Sequence, residues 1–354
     1  MSSAAIHIDT ASHKPRLGFV GLGWIGRNRL ASIAEAGVAE IAAFHDPQAG
    51  AATEAQKFSP NAVLFSSFEE LLRHDLDGVV IATPNRFHAE QAIAALESGI
   101  AVFCQKPLGR NAFETRRIVE AARNSDCLLG VDLSYGAIPA MQAVSRLVES
   151  GALGKIFAVD ARFHNGYGPD KPWFYDYSLS GGGCVLDLGP HLLDLALRPL
   201  GFPRIAQVQS SLFASGNLVN KSSQQIEDYG VATLETVDDT VIKLSCCWNL
   251  HAGRDADIEI AFYGTEGGAA LRNVNGSFYD FVSERFHRTR TETLSSPEDS
   301  QWQWGAFATI QWIKQLASDG NFDPAAERFV EIAEVIDNIY GRSPAKAQRR
   351  KEEI

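Results

Sequence analysis

Little in this chain suits a metal, a membrane or a nucleic acid. Its five cysteines, Cys104, Cys127, Cys184, Cys246 and Cys247, are odd in number and show neither a C-x-x-C pair nor a metal-ligand spacing. A disulfide framework and a metal site are therefore not expected, and reduced thiols in a cytoplasm are. No run approaches the roughly 20 apolar residues that span a bilayer. Basic residues are in deficit, 32 Lys and Arg against 43 Asp and Glu, for a formal net charge of -11. That sign disfavours phosphate backbones and anionic lipid surfaces as partners. The N-terminal stretch MSSAAIHIDTASHKPR has neither an apolar signal core nor a twin-arginine pair and reads as a short loose tail. Internal repeats and low-complexity tracts are missing too.

What is present is enough core for two domains: 354 residues, 45% of them apolar. Up to about residue 133, short β-rich runs alternate with helical patterns. Leu17 to Val20, Glu40 to Phe44, Gly78 to Ala82, Ile100 to Cys104 and Leu128 to Val131 read as strands, and Gly78 to Ala82 has no polar alternation, as in a strand buried on both faces. Strand and helix in alternation predict a doubly wound parallel sheet, an α/β Rossmann domain over 14–133. Beyond it the rhythm changes. Long alternating strands, including a hairpin of Tyr229 to Thr236 with Thr240 to Trp248, predict a second domain over 134–345. It should be α+β, with a large, mostly antiparallel sheet open on one face. Trp302 and Trp304 introduce a late helix and read as core or interface residues.

Gly21-Leu22-Gly23-Trp24-Ile25-Gly26 follows the first strand directly and opens a helix. In that setting G-x-G-x-x-G predicts a dinucleotide site. Gly21 permits the turn, Gly23 leaves room for a pyrophosphate, and Gly26 lets helix and strand approach. The first helical amides, from Trp24 and Ile25 on, would hold the phosphates. Asp46, twenty residues after Gly26, would accept hydrogen bonds from the adenosine ribose. A carboxylate there repels a 2′-phosphate and favours NAD over NADP, although Arg27 and Arg29 could soften the preference. Thr83-Pro84-Asn85 ends the next buried strand at the ligand edge of such sheets, and His88 starts the helix after it, as a cofactor contact or a structural histidine.

Lys106 ends the following strand on the same edge, so its ammonium should reach the nicotinamide end of the cleft. In the second domain Gly181-Gly182-Gly183 precedes Asp187 and His191, which share a face one turn apart if the segment is helical. Pro190 leaves two readings: a helix that starts late with Pro190 in its first turn, or one from near Gly183 that tolerates a lost hydrogen bond. Either keeps carboxylate and imidazole close. An imidazole titrating near neutrality suits removal of an alcohol proton. Upstream, Phe163 to Asp176 mixes aromatics with amide and carboxylate groups, as carbohydrate pockets do. Asn165, Trp173 and Tyr175 are the candidate contacts there.

These ordered motifs, the glycine loop with Asp46, TPNRFHAEQAIAALESGIAVFCQKPLG and GGGCVLDLGPHLLDLAL, resemble the Gfo/Idh/MocA oxidoreductases over nearly the whole chain. The resemblance implies a Rossmann domain, a second domain whose open sheet often forms a subunit interface, and a homodimer or homotetramer. It implies that Lys106, Asp187 and His191 are the catalytic set, with Gln105 and Lys106 also near the cofactor. Gln105 stands where the family motif has Glu, which adds a donor and removes a negative charge beside Lys106. The expected reaction is hydride transfer between NAD, or NADP, and a sugar, polyol or sugar-derivative alcohol. His191 would take the hydroxyl proton, Lys106 would steady the reacting oxygen, and Asp187 would position substrate or imidazole. Two alternatives stand beside it: NAD-assisted elimination or glycoside cleavage, and a non-catalytic nucleotide-sensing regulator.

Overall fold

The computed structural model describes residues 14–221, 223–297 and 305–342. Trp302, Trp304 and most of both chain ends lie outside the described residues. Six strands, β1 (Arg16–Val20), β2 (Glu40–His45), β3 (Val63–Leu64), β4 (Gly78–Ile81), β5 (Ala101–Cys104) and β6 (Leu129–Val131), pair in parallel in the order β3-β2-β1-β4-β5-β6. Every residue of β4 and β5 is buried, as their unbroken apolar runs require. Five helices connect the strands: α1 (Trp24–Ala36), α2 (Ala49–Gln56), α3 (Phe68–Leu72), α4 (Asn85–Glu97) and α5 (Ala112–Asn124). Ser67 caps α3, its Oγ accepting from Glu70 N at 3.2 Å, and Asn111 Oδ1 caps α5 by accepting from Glu114 N at 2.9 Å. This is the doubly wound Rossmann topology expected of the first domain.

Two helices, α6 (Ser134–Ala137) and α7 (Pro139–Glu149), lead into a nine-stranded sheet. Its strands are β7 (Ile156–Asn165), β8 (Ile205–Ala214), β9 (Asn217–Leu218), β10 (Tyr229–Thr236), β11 (Val241–Cys247), β12 (Ala256–Gly264), β13 (Gly268–Asn273), β14 (Phe281–His287) and β15 (Arg290–Ser295). The order is β15-β14-β13-β12-β7-β11-β10-β8-β9, antiparallel at every pairing except β7 with β11. The expected hairpin is there, with Glu235 opposite Val241. Two short helices, α6 and α8 (Tyr177–Ser180), fall where the sequence carries no clear period. The main helix, α9 (Cys184–Leu197), lies on the inner face of the sheet, against β7 and β11, with nearly every side chain buried.

The α9 boundaries decide between the two readings of Pro190. The helix begins at Cys184 and runs through the proline, so Leu186 C=O loses its intrahelical donor. The last helices, α10 (Ala306–Ser318) and α11 (Glu327–Tyr340), do not stay with the second sheet alone. On α10, Trp312 packs on Phe103 of β5, ring centroids 5.5 Å apart. Gly78 and Gly130 are glycine because a Cβ at either would meet the Trp312 indole at 2.7 Å or 2.6 Å. On α11, Asp337 accepts from Ala112 N at 2.9 Å, tying the helix to the start of α5. The chain therefore closes back over the first domain.

Candidate active site

The glycine loop has the shape a pyrophosphate needs. Gly21 sits at φ +86, and a Cβ there would meet Ala82 O at 2.5 Å; at Gly26 it would meet Gly21 O at 2.1 Å. Packing thus fixes both. At Gly23, by contrast, a Cβ would meet nothing within 4 Å, so the missing side chain opens space instead of relieving a clash. The N-cap of α1 makes no side-chain hydrogen bond, which leaves the leading amides for an anion. Trp24 stands beside them, 57% exposed. Asp46 braces the loop from below: Oδ2 accepts from Leu22 N at 2.6 Å and Oδ1 from Gln48 N at 2.8 Å. These residues fit a dinucleotide, with Asp46 half-buried beside the loop.

Several expected cofactor contacts have other partners. Arg27 Nη1 donates to Leu22 O at 2.7 Å within the loop. Arg29 is turned inward and fully buried against Asp132, at 2.5 Å, so it cannot soften a preference set at Asp46. Thr83 Oγ1 donates to Gln91 Oε1 at 2.6 Å, and Asn85 Nδ2 donates across the domains to Ser180 O at 2.8 Å. His88 is 1% exposed, with Nδ1 2.8 Å from Pro107 O and Nε2 2.7 Å from Thr83 O. Of its two possible roles it takes the structural one, latching the loop after β4 to the loop after β5. Gln105 is buried as well, its amide donating to Asp132.

Lys106 lies two residues past the end of β5. The Lys106–Pro107 peptide bond is cis, and the ammonium crosses to α9. There it donates to Asp187 Oδ1 at 2.5 Å and to Asp187 O at 2.7 Å. An ammonium has three N–H bonds, so one is left for a ligand. The other carboxylate oxygen, Asp187 Oδ2, accepts from the indole Nε1 of Trp248 at 3.0 Å. Asp187 is therefore anchored on both oxygens, and neither goes to His191.

His191 stands one turn further along α9, 5% exposed, inside an aromatic wall. The Tyr135 ring meets it edge-on at 4.9 Å and the Phe163 ring lies 6.4 Å away. Its Nδ1 is buried and finds no hydrogen-bond partner among the described residues. Burial, and then the charges of Lys106 and Arg29, hold its pKa well below the ordinary imidazole value. The ring is therefore neutral at physiological pH.

The candidate substrate face sits beside this pair. Alternation along β7 puts Asn165 on the same face as Phe163, toward α9, and its Oδ1 is buried and unpartnered among the described residues. Trp173 stacks on Phe174 at 3.8 Å, and Phe174 and Tyr175 both set edges against Trp248, at 6.1 Å and 5.7 Å. Tyr175 donates its hydroxyl to Pro169 O at 3.0 Å. Burial, and then the Asp187 charge, raise its pKa.

Sequence reasoning missed Trp248, Tyr135, Glu227 and Tyr340. It placed Trp248 simply at the end of a strand. The triple glycine proves to be a packing device: at Gly183 a Cβ would meet Glu227 O at 1.9 Å. The buried Glu227 carboxylate accepts from Gly183 N and Val185 N, both at 3.0 Å, and from Tyr340 Oη at 2.6 Å. It thus caps the start of α9, three residues before Asp187. No local signal in the sequence joins positions 183, 227 and 340.

Comparison with known proteins agrees with this architecture. Residues 15–133 match the model of an oxidoreductase family with an NAD-binding Rossmann fold, and residues 141–270 match the Gfo/Idh/MocA C-terminal domain. The chain is 29% identical over 227 residues to a D-glucoside 3-dehydrogenase of Escherichia coli (strain K12), a match covering 61% of this chain and 65% of that enzyme, just under two thirds of its length. It is 27% identical over 277 residues to the rhizopine catabolism protein MocA of Rhizobium meliloti, covering 75% of this chain and 85% of that one. Among solved structures, a levoglucosan dehydrogenase in complex with NADH and levoglucosan superposes with a TM-score of 0.78 at 22% identity, over 94% of this chain and 97% of that one. At that identity the likeness is one of fold. With both domain models in chain order, and the Rossmann sheet followed by the large open sheet, the chain belongs to the Gfo/Idh/MocA oxidoreductases.

Proposed function

We propose that the protein is an NAD-dependent dehydrogenase of a sugar, polyol or sugar-derivative alcohol. The observation that carries this reading is the Lys106–Asp187 pair, which leaves one ammonium N–H free beside a buried, neutral imidazole at the ligand edge of the sheet. The names of relatives support the substrate class: one is a D-glucoside dehydrogenase, and the fold neighbour was solved with levoglucosan.

Bound NAD would supply the acceptor for the hydride. The chain's own residues do the rest. The glycine loop and the open helix start hold the phosphates, and Asp46 meets the adenosine ribose. The hydroxyl of the reacting carbon lies between Lys106 and His191. Because Nδ1 is sealed in the aromatic wall, Nε2 is the nitrogen that takes the hydroxyl proton as the C–H bond gives up its hydride. The remaining N–H of Lys106 donates to the oxygen as negative charge grows on it. Asp187 keeps the ammonium in place. Asn165 and the Trp173–Tyr175 aromatics bind the sugar ring, C–H faces on rings and hydroxyls on the amide.

The test is a panel of monosaccharides, inositols and glycosides, each with NAD and with NADP, read by absorbance of the reduced nicotinamide. NAD-linked turnover of a carbohydrate alcohol is expected, and a panel without turnover tells against the reading. Lys106→Ala and His191→Ala should each lower kcat by about 10²–10³ while NADH still binds.

A further inference from the structure

Behind Lys106 lies a buried polar cluster that the proposed chemistry does not use. Arg29 on α1, Asp132 after β6 and Ser134 at the start of α6 are each at most 1% exposed, and Gln105 after β5 is 7% exposed. Arg29 Nε pairs with Asp132 Oδ2 at 2.5 Å, and Nη2 donates to Ser134 Oγ at 3.1 Å. Ser134 Oγ in turn donates to Asp132 Oδ1, and Gln105 Nε2 donates to Asp132 Oδ2. Asp132 thus accepts from three side chains, and the four residues together carry one positive and one negative charge. Main-chain bonds run alongside: Asp132 N donates to Cys104 O and Gln105 N to Ile81 O, both at 2.9 Å.

This geometry ties three elements together. Arg29 belongs to the helix that carries the glycine loop, Gln105 is bonded directly to the residue bearing the ammonium, and Ser134 starts the second domain. Position 105 must be a donor, because the Asp132 carboxylate is the acceptor facing it. A carboxylate at 105 would set two anions in contact in a dry site with one guanidinium between them.

We propose that Gln105, Asp132 and Arg29 form a buried brace in which the neutral amide of Gln105 is the positioning residue for Lys106. The inference rests on the dehydrogenase reading for its kinetic readout. A misplacement of about 1 Å at the ammonium is enough to lower turnover by about 10²-fold. The titratable and charged groups facing the brace are Arg29 from α1, Lys106 from its own loop, the Cys104 thiol from β5 and the Tyr135 phenol from α6. Across the cleft, His191 lies in the field of Arg29.

The test is the pH profile of kcat for Gln105→Glu. The introduced carboxyl and Asp132 would share a proton, with a raised apparent pKa. In acid the protonated group donates to Asp132 as the amide does, and kcat should stay within about threefold of the parent. As pH rises through the raised pKa the donor is lost, and kcat should fall about tenfold or more, a basic limb the parent lacks. The exchange Gln105→Glu with Asp132→Asn restores one carboxylate and one amide and should remove that limb. A Gln105→Glu profile parallel to the parent's, or a limb that survives the exchange, overturns the brace.

Thermal unfolding is a second readout that needs no turnover. A carboxyl whose folded pKa is raised contributes stability at low pH and loses it as pH rises through that pKa. The midpoint deficit of Gln105→Glu should therefore widen with pH, and a deficit constant with pH counts against the proposal. If that variant does not fold, Gln105→Met adds no charge and should lower kcat about tenfold with NADH affinity unchanged by fluorescence; parental kcat there overturns the role. A parent chain without NAD-linked turnover would sink the dehydrogenase reading alone, because the thermal series still reports on the brace.

Discussion

The Asp187 carboxylate is bonded to Lys106, which arrives from the other domain, and not to His191, one turn along its own helix. Lys106 Nζ lies 2.5 Å from Oδ1, and Trp248 Nε1 holds Oδ2 at 3.0 Å. Spacing in α9 suggested a carboxylate–imidazole pair, yet the partner was decided by where β5 ends. The carboxylate thus holds the ammonium in place, and the imidazole makes no bond to it.

Trp248 follows as a positioning residue. Trp248→Phe keeps the ring that packs on Phe174 and Tyr175 but deletes the donor to Asp187. A hydrogen bond to a charged group is worth about 1.5–3 kcal/mol, so kcat should fall by roughly 10- to 100-fold. NADH affinity should not change, because the indole's partners, Asp187, Phe174 and Tyr175, all belong to the second domain. Steady-state kinetics with fluorescence titration of NADH checks both; equal losses in kcat and cofactor binding would mean a disturbed fold.

The low pKa of His191 makes a prediction about stability. Its folded pKa lies below that of the unfolded chain, as does that of the buried His88. Between the two values the unfolded chain binds more protons. Stability is therefore complete above the ordinary imidazole pKa of about 6.5 and is lost as pH falls through the depressed folded values. Thermal midpoints should drop on acidification below that point, and less steeply for His191→Phe. A variant whose midpoint tracks the parent's at every pH would contradict a buried neutral imidazole at 191.

How much of this could be read from residues alone depends on whether the cause was local. Unbroken apolar runs gave β4 and β5, because a strand covered on both faces has no polar alternation to show. The glycine loop was legible because a tight turn and a close helix restrict residue type at 21 and 26. The placement of Lys106 was legible because strand ends in such sheets share an edge. Arg29 was misread, since nothing beside it on α1 tells that its guanidinium reaches Asp132, 103 residues away. Trp248 and Glu227 were invisible for the same reason: their partners, Asp187 and Gly183, meet them only once the second sheet is formed.

Tyr340 tests the capping of α9. Its hydroxyl donates to Glu227 Oε1 at 2.6 Å and accepts from Leu186 N at 3.2 Å. Tyr340→Phe leaves a buried carboxylate short of one donor and a buried amide unpaired, a loss of about 2 kcal/mol. Burial already raises the Glu227 pKa against these hydrogen bonds, and removing one should raise it further. The variant should unfold at lower denaturant concentration than the parent, by a margin that grows at high pH, where the carboxylate must stay charged. An unchanged midpoint would mean that water enters and replaces the hydroxyl.

Asp46 has two duties, and substitution should expose both. The same carboxylate that would meet the ribose also accepts from Leu22 N and Gln48 N, so it shapes the loop that holds the pyrophosphate. Asp46→Ala removes a repulsive charge near a 2′-phosphate but also two hydrogen bonds that set the loop. NADH affinity should fall about tenfold or more, two bonds to a charged acceptor being involved. NADPH should not gain in compensation, because Arg27 is engaged with Leu22 O and Arg29 is buried against Asp132. A cation must be supplied for the preference to turn, so NADPH should tighten only when Asp46→Ala is combined with Pro47→Arg. Fluorescence titration of both reduced cofactors reads this out, and tight NADPH binding by Asp46→Ala alone would show that the loop keeps its shape without the carboxylate.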